Sequence, residues 1–306
     1  MPGINTGRVV IVTGAGNGIG RAHAKAFAAE GAKVVVNDLG GARDGSGADR
    51  GPAQQVVDEI VAAGGEAVAN ADNIASWDGA QNVVQQAIDT FGALDVVVNN
   101  AGILRDKMMV NMSESDWDSV VAVHLKGTFC TMRHAAAYWR EEAKADRKRD
   151  ARVINTSSAS GLFGNVGQSN YGAAKAGIAS MTIITAQELA RYGVTVNAIS
   201  PTALTRMTED IPNLADVKAR RGGEQGMAPE NISPLVVWLG SPLSKDITGR
   251  VFGVFGGRIT VAEGWALGPY VETQGRWEPG DLTEVVPDLV RRAAPNAGMS
   301  GERPTG

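Results

Sequence analysis

The chain has 306 residues, with 29 Lys and Arg against 33 Asp and Glu, which gives a formal net charge of -4. A composition of 43% hydrophobic and 20% charged residues argues against disorder, and no apolar run approaches the length of a membrane span. The acidic balance argues against a nucleic-acid partner. The single cysteine, Cys130, excludes an internal disulfide, and we expect a cytoplasmic protein without a targeting segment.

Short β-branched runs alternate with longer helical patterns from residue 8 onward. This alternation predicts an α/β fold with a doubly wound parallel sheet of about seven strands and helices on both faces. The predicted strands are Val9–Thr13, Lys33–Asn37, Glu66–Asn70, Leu94–Asn99, Arg152–Thr156, Thr195–Ile199 and Val251–Phe255. The predicted helices cover residues 18–30, 52–64, 77–91, 113–142, 170–191 and 229–240.

A glycine-rich motif, Thr13-Gly14-Ala15-Gly16-Asn17-Gly18-Ile19-Gly20, follows the first predicted strand and opens the first predicted helix. Glycines at such a junction let the backbone approach a pyrophosphate, and the free N–H groups of a helix N-terminus favour an anion. Asp38 ends the second strand, where a carboxylate would accept hydrogen bonds from an adenosine ribose. Because that carboxylate would repel a 2′-phosphate, we expect NAD rather than NADP. The alternative is a tight turn that binds no phosphate.

Three further residues suggest acid–base chemistry: Ser158, Tyr171 and Lys175. Tyr171 and Lys175 are four residues apart, so they share one face of a helix. A phenol titrates near 10, and its use as a base near pH 7 requires stabilisation by about 3 pK units. The ammonium of Lys175 would supply much of that stabilisation, together with the positive nicotinamide ring of an oxidised cofactor. The spacing alone is also typical of chance helical pairs.

Four motifs in this order resemble the short-chain dehydrogenase/reductase family over roughly residues 8–257. They are the glycine motif, Asn99-Asn100-Ala101-Gly102, Ser158 thirteen residues before Tyr171, and Tyr-x-x-x-Lys at 171–175. A closer similarity is to the 3-hydroxyacyl-CoA dehydrogenase part of the peroxisomal multifunctional enzymes of type two. Its marks are Val36–Gly41, Asn99–Asp106, Val123–Gly127, Thr156–Gly161 and Arg206–Thr208.

The resemblance implies a Rossmann-like NAD-dependent oxidoreductase that interconverts a secondary alcohol and a ketone, with a 3-hydroxyacyl-CoA as the favoured substrate. Tyr171 would exchange a proton with the substrate oxygen, Ser158 would hydrogen-bond that oxygen, and Lys175 would also hold the nicotinamide ribose. The implied cofactor-binding residues are Gly14, Gly16, Asn17, Gly18, Ile19, Gly20, Asp38, Asp72, Asn73, Asn99, Ala101, Gly102, Tyr171, Lys175, Pro201, Thr202, Leu204 and Thr205.

Two positions depart from the pattern of most of the family. His124 stands where Asn is usual, and we expect it to support catalysis because an imidazole can also donate and accept; the alternative is a structural histidine. Thr202 follows Pro201 where Gly is usual. Backbone contacts to the nicotinamide amide would then fall to Thr202, Leu204 and Thr205.

The segment between Thr205 and Pro229 follows the sixth predicted strand, at the sheet edge where ligands bind in such folds, and we expect it to cover the substrate. Gln168 and Met207 are the expected substrate-wall residues. The basic residues Lys218, Arg220 and Arg221 would either contact coenzyme A phosphates or form a solvated helical face. We predict no metal site.

The alternation of strands and helices ends at Gly257. We therefore expect one dinucleotide-binding catalytic domain over residues 1–257 and a C-terminal extension over 258–306 with a flexible end. Its Trp265, Tyr270 and Trp277 would cover a subunit contact or the active-site mouth. The resemblance suggests a homo-dimer or homo-tetramer.

Two other functions stay open on the sequence alone. The first is a dehydrogenase of steroid or other bulky alcohols, including a sterol side chain, since the substrate loops do not separate these substrates. The second is a non-catalytic dinucleotide sensor, which would have no need of Tyr171 and Lys175.

Overall fold

The computed structural model of the chain describes residues 2–47, 49, 51–205 and 223–304. Its centre is a single sheet built from β-branched runs. The strands are β1 Val9–Thr13, β2 Lys33–Asn37, β3 Glu66–Asn70, β4 Val96–Asn99, β5 Ala151–Thr156, β6 Val194–Pro201, β7 Val251–Phe255 and β8 Arg258–Ala262.

The strands lie in the order β3-β2-β1-β4-β5-β6-β7-β8. All neighbours are parallel except β7 and β8, which are antiparallel. The predicted doubly wound α/β fold is thereby confirmed. The direction of winding reverses beside β1, which lies between β2 and β4, and ligands of open α/β sheets bind at the carboxyl ends of the strands at such a point.

The helices cover both faces of this sheet. They are α1 Gly18–Ala29, α2 Gly51–Ala62, α3 Trp77–Phe91, α4 Glu114–Val121, α5 Gly127–Lys144, α6 Ala159–Phe163, α7 Ser169–Leu189, α8 Gly223–Gly226, α9 Ser233–Leu239 and α10 Leu282–Arg292. Single 3-10 turns occupy Met109–Asn111, Ala190–Tyr192, Pro229–Ile232 and Pro242–Ser244. Within the described part of the chain, no helix combines the length and the apolar character needed to cross a bilayer.

Alternate residues of β1 pack into two different cores. Val10 and Val12 belong to the cluster under α1, α2 and α9, whereas Val9 and Ile11 belong to the cluster under α3 and α5. Every residue of this strand is buried. A strand covered on both faces is apolar throughout rather than alternating, which is why the runs of valine marked the strands so clearly.

The structure differs from the predicted elements at several points. The helix predicted over 113–142 is helical throughout, but a π turn at Ala122–Lys126 divides it into α4 and α5. The helices α6, α8 and α10 were not predicted. Strand β8 was not predicted either, and it begins directly after Gly257, so the sheet has eight strands rather than seven. The division of the chain at Gly257 into two parts stays a proposal.

Candidate active site

The side chains expected to do chemistry meet at the carboxyl ends of β4 and β5. Ser158 follows β5 and caps α6, where its Oγ accepts a hydrogen bond from the Ser160 N–H at 3.2 Å. Tyr171 and Lys175 lie on the first two turns of α7, one helical turn apart. The structure therefore brings together Ser158, from the turn after β5, and the Tyr171–Lys175 pair of α7.

Lys175 is buried, and its Nζ donates a hydrogen bond to the Thr156 carbonyl oxygen at 2.6 Å. The same nitrogen lies 5.5 Å from the centre of the Tyr171 ring. Desolvation lowers the pKa of Lys175 to about 7. The amine is thus held next to the phenol ring in a place that disfavours its charge.

Desolvation also raises the pKa of Tyr171 to about 12, and the negative charge of Asp106 acts in the same direction. The interaction with the Ser158 side chain opposes both effects. The expectation that Lys175 lowers the pKa of Tyr171 is therefore not met by the chain alone, because burial penalises the phenolate and the ammonium together. That expectation also invoked the positive charge of a bound cofactor.

His124 lies in the π turn and is buried. Its Nε2 is 3.0 Å from the Ile103 backbone nitrogen and 2.8 Å from the Ile103 carbonyl oxygen, while Nδ1 is buried without a partner. Its ring stands edge-on to the Tyr171 ring, with 5.1 Å between centroids. Desolvation and the charge of Lys175 hold the pKa of His124 well below its ordinary value, so the ring is neutral.

The glycine motif forms a tight turn between β1 and α1. Gly14 has a φ of +62°, and a Cβ there would lie 2.6 Å from the Ala101 Cα. A Cβ on Gly20 would collide with the Gly14 carbonyl oxygen. Side chains at Gly14 and Gly20 are therefore sterically excluded. Asn17, the residue before α1, makes no side-chain cap, so it leaves the first N–H groups of that helix to another acceptor.

Asp38 lies beside this turn, at the carboxyl end of β2. Its two oxygens accept the N–H groups of Gly16 and Gly40, each at 2.7 Å. Gly18 has a φ of +52°, and a Cβ there would contact the Thr205 side chain at 3.4 Å. The turn thus has the Asp38 carboxylate on one side and Thr205 on the other, and a carboxylate at the end of β2 is the group that binds the ribose hydroxyls in dinucleotide sites of this kind of fold.

The Asn99–Gly102 motif at the end of β4 is hydrogen-bonded to the glycine turn. Thr13 Oγ1 accepts the N–H groups of Asn100 and Ala101 at 3.0 and 3.1 Å. The Asn100 Nδ2 donates to the carbonyl oxygens of Thr13 and Gly14, both at 3.1 Å. Neither Thr13 nor Asn100 was among the predicted site residues, although both stand inside the motifs that were quoted for the resemblance.

Asn99 is buried within a chain of polar side chains under the site. Its Oδ1 accepts from Thr131 Oγ1 at 2.5 Å, its Nδ2 donates to Asn155 Oδ1 at 2.9 Å, and Asn155 Nδ2 in turn donates to Thr182 Oγ1 at 2.9 Å. Thr131, Asn155 and Thr182 were not among the predicted site residues. A signal was available, since Asn99 and Asn155 are both asparagines near the ends of apolar strands, and the two are register partners in the sheet.

Asp72 and Asn73 follow β3. The Asp72 carboxylate accepts from Asn70 Nδ2 at 2.7 Å, whereas Asn73 is exposed and its Oδ1 accepts the Ala75 N–H at 2.9 Å. A cleft of about 360 Å³ opens at this end of β3, and its lining includes Asp72 and Gln54. Both predicted residues therefore lie at the correct sheet edge.

The predicted nicotinamide contacts begin where β6 ends, at Pro201. The Thr202 N–H donates to the Val254 carbonyl oxygen at 2.9 Å, and the Leu204 N–H donates to the Met227 carbonyl oxygen at 2.7 Å. These two N–H groups are engaged within the chain. A nicotinamide amide could reach them only if those bonds opened.

The substrate side is described in part. Gln168 directly precedes α7, and its side chain donates to the Asp106 carboxylate. Met207, Lys218, Arg220 and Arg221 lie outside the described residues. Gly102, a predicted cofactor-binding residue, packs directly against His124. A Cβ at Gly102 would collide with the His124 ring.

Comparison with known proteins places this geometry among oxidoreductases. A family profile described as short chain dehydrogenase matches residues 8–214. A relative named hydroxyacyl-CoA dehydrogenase ChsB1, from Mycobacterium tuberculosis, is 43% identical over 303 residues, which cover 96% of this chain and 92% of the relative. The mouse peroxisomal multifunctional enzyme type 2 is 46% identical over 233 residues, 76% of this chain but 30% of that protein.

A crystal structure of a short chain dehydrogenase from Mycobacterium avium is similar over almost the full length. It shares 59% sequence identity, has a TM-score of 0.87, and the match covers 97% of this chain and 99% of that one.

Proposed function

The chain belongs to the short-chain dehydrogenase family, and from that premise we propose that it interconverts the 3-hydroxy and 3-oxo forms of acyl-CoA thioesters with NAD as cofactor. It is an oxidoreductase that acts on a CH–OH group of a small molecule, and the family uses NAD or NADP. The observation that carries the proposal is the cluster of Ser158, Tyr171 and Lys175 beside the glycine turn.

The residues of the glycine turn fit a dinucleotide. The turn excludes side chains at Gly14 and Gly20, and the first N–H groups of α1 are not capped by Asn17. We propose that the pyrophosphate lies against these groups and that Asp38 accepts the ribose hydroxyls, which favours NAD over a cofactor with a 2′-phosphate. When bound, the nicotinamide supplies the hydride donor or acceptor.

The chain's own residues would manage the proton. Tyr171 Oη would give a proton to the substrate oxygen in reduction and take it back in oxidation, while Ser158 Oγ would hydrogen-bond the same oxygen. The desolvation that raises the pKa of Tyr171 favours the protonated, donating form. The reverse direction needs the phenolate, which the nearby Lys175 would stabilise once that amine carries a proton.

His124 would support this arrangement as a neutral ring. Its edge packs on Tyr171 and its Nε2 is held by Ile103, so the histidine fixes the position of the phenol. A role in a proton path to Lys175 also stays a proposal. It would use the buried Nδ1, which has no hydrogen-bond partner among the residues that the structure describes.

The proposed substrate class rests on the names of proteins that are similar in sequence. The Mycobacterium tuberculosis protein is named a hydroxyacyl-CoA dehydrogenase, and its similarity covers nearly all of both chains. Gln168 and Met207 as substrate-wall residues stay part of the proposal.

We also propose that copies of the chain associate through α5 and α7. Phe129 on α5 and Ile183 and Ile184 on α7 are between 41% and 52% exposed, and exposed large apolar side chains are candidates for a subunit contact. A homo-dimer or homo-tetramer would cover them. A cytoplasmic location is proposed on Cys130, a buried free thiol.

The proposal is tested by nicotinamide absorbance in a matrix of two cofactors and a substrate panel. The panel contains 3-hydroxyacyl-CoA thioesters of increasing chain length and steroid alcohols. We expect turnover of the thioesters with NAD and much less with NADP. Turnover with NADP alone would contradict the role of Asp38, and turnover confined to steroid alcohols would replace the substrate class. Cofactor binding without turnover of any alcohol would instead indicate a sensor.

A further inference from the structure

The segment after β4 is fastened to the start of α7 by its backbone. The Lys107 N–H donates to the Gly167 carbonyl oxygen at 2.9 Å, and the Asn170 Nδ2 donates to the Arg105 carbonyl oxygen at 3.1 Å. Asn170 is fully buried. Asp106, an exposed residue, lies between these two anchored residues, so its backbone is held at the site.

Gln168 uses both ends of its side-chain amide at this point. Nε2 donates to Asp106 Oδ2 at 2.6 Å, and Oε1 accepts from Ser160 Oγ at 2.7 Å and from Asn165 Nδ2 at 2.9 Å. The Ser160 N–H in turn donates to Ser158 Oγ. A single amide therefore connects the carboxylate after β4 to the turn that holds Ser158.

We infer that Gln168 is a positioning residue of the proposed reaction: it holds the Ser158 hydroxyl in place and keeps the Asp106 carboxylate beside Tyr171. The inference rests on the proposed function. An amide suits the task because it donates to a carboxylate and accepts from a hydroxyl at once. A glutamate of the same length would accept only, and it would place a second negative charge against Asp106.

The Asp106 carboxylate has an effect of its own. Its negative charge disfavours the phenolate of Tyr171. The titratable and charged groups that act on or lie against Tyr171 come from three elements: Asp106 from the segment after β4, His124 from the π turn, and Lys175 from α7. Of these groups, Asp106 bears the negative charge. Its removal should therefore lower the pH at which the phenolate forms.

Three variants separate the hydrogen bond from the charge. Gln168→Glu removes the donor to Asp106, and we expect kcat to fall by about 10- to 100-fold, since small misplacements cost that much. Cofactor affinity should change little, and KM should rise by a smaller factor than kcat falls, although Gln168 is also a proposed substrate-wall residue. Asp106→Asn keeps an acceptor for Gln168 but removes the charge. We expect the acid limb of the pH profile for alcohol oxidation to move to lower pH by roughly half a unit, the order expected for a screened charge.

The double variant Gln168→Glu with Asp106→Asn restores one donor and one acceptor with their positions exchanged. We expect it to recover much of the kcat that Gln168→Glu loses. A purely structural lesion would instead make the two losses add. Gln85→Glu is the matched control, since Gln85 also donates to an aspartate, Asp89, at 2.8 Å on the exposed face of α3. Asp118→Asn, on the exposed side of α4, is the charge control.

Hydrogen exchange of the cofactor-free protein tests the same network without turnover. We expect Gln168→Glu to speed amide exchange in the α6 peptide, and the double variant to restore its protection. Unchanged exchange in α6, or additive loss of kcat in the double variant, would overturn the inference. If the wild type turned over no alcohol, the proposed function would fail, and the exchange result alone would still decide the role of Gln168.

Discussion

The buried amine of Lys175, which the proposed reaction requires, lowers the stability of the fold. Its amine is buried beside the Tyr171 ring, and its pKa of about 7 lies below the ordinary lysine value of 10.5. Between these two values the unfolded chain keeps a proton that the folded chain has released. The free energy of unfolding therefore rises with pH across this interval, and the penalty is complete below pH 7.

We predict that Lys175→Met abolishes turnover yet raises the melting temperature at pH 7, because it removes a desolvated amine. Each kcal/mol should appear as roughly 2–4 °C for a protein of this size. The gain should shrink as the pH approaches 10.5. Calorimetry from pH 7 to 10.5 measures it, with exposed Lys245→Met as the control. A variant less stable than the wild type at pH 7 would contradict this account.

Asp38 is the residue that we propose selects the cofactor. We predict that Asp38→Asn, which keeps an acceptor for the Gly16 N–H, lowers the ratio of kcat/KM for NAD over NADP by about tenfold, or roughly 1.4 kcal/mol. Asp58→Asn, an equal change of charge on the exposed face of α2, should leave the ratio unchanged. An unchanged ratio in Asp38→Asn would assign cofactor selection to other residues.

Among the elements, the π turn determines where His124 lies. It inserts extra backbone between α4 and α5, and the His124 ring fills the space that Gly102 leaves open. We predict that Gly102→Ala costs about 1–3 kcal/mol of unfolding free energy through overpacking and also reduces kcat. Urea denaturation measures the first effect. Gly257→Ala is the control, because its new methyl meets no atom within 4 Å. Equal losses of unfolding free energy in the two variants would contradict the overpacking at Gly102.

The elements also show what the sequence could predict. The buried parallel strands were predicted well, since strands covered on both faces need continuous runs of β-branched residues. The π turn was not, because one extra residue hardly alters a helical pattern. Strand β8 contains the β-branched run Ile259-Thr260-Val261, but it is exposed at the edge of the sheet and is too short a run to stand out from the surrounding loops. The pair Gly256-Gly257 was a hairpin signal that could have revealed it.

At the site, sequence motifs located residues better than they described their environment. Tyr171, Lys175 and Ser158 were identified by resemblance and do meet. The amide contacts of Gln168 depend on a loop between β4 and α4 meeting the start of α7. No local pattern encodes such a meeting, because it is produced by the tertiary fold. The raised pKa of Tyr171 likewise follows from burial, which spacing alone does not reveal.

For the whole molecule, the C-terminal extension is the part whose role is open to test. Trp265 and Leu267 are almost fully exposed and Tyr270 is 76% exposed, so we expect a second copy of the chain to cover them. We predict that truncation after Glu263, which keeps β8, lowers the oligomeric mass measured by light scattering. Truncation after Gly257 should also lower the melting temperature, since it removes β8 from the sheet. An unchanged oligomeric mass in the variant that ends at Glu263 would refute the role of the extension in assembly.

The central claim is that Tyr171 transfers the proton in an NAD-linked oxidation of 3-hydroxyacyl-CoA thioesters. It is tested most directly by comparing the wild type with Tyr171→Phe in the same absorbance assay, with NADH binding followed by fluorescence. We predict turnover by the wild type, a loss of about 10²- to 10⁴-fold in the variant, and NADH binding that the variant retains. Turnover that survives in Tyr171→Phe would contradict the account.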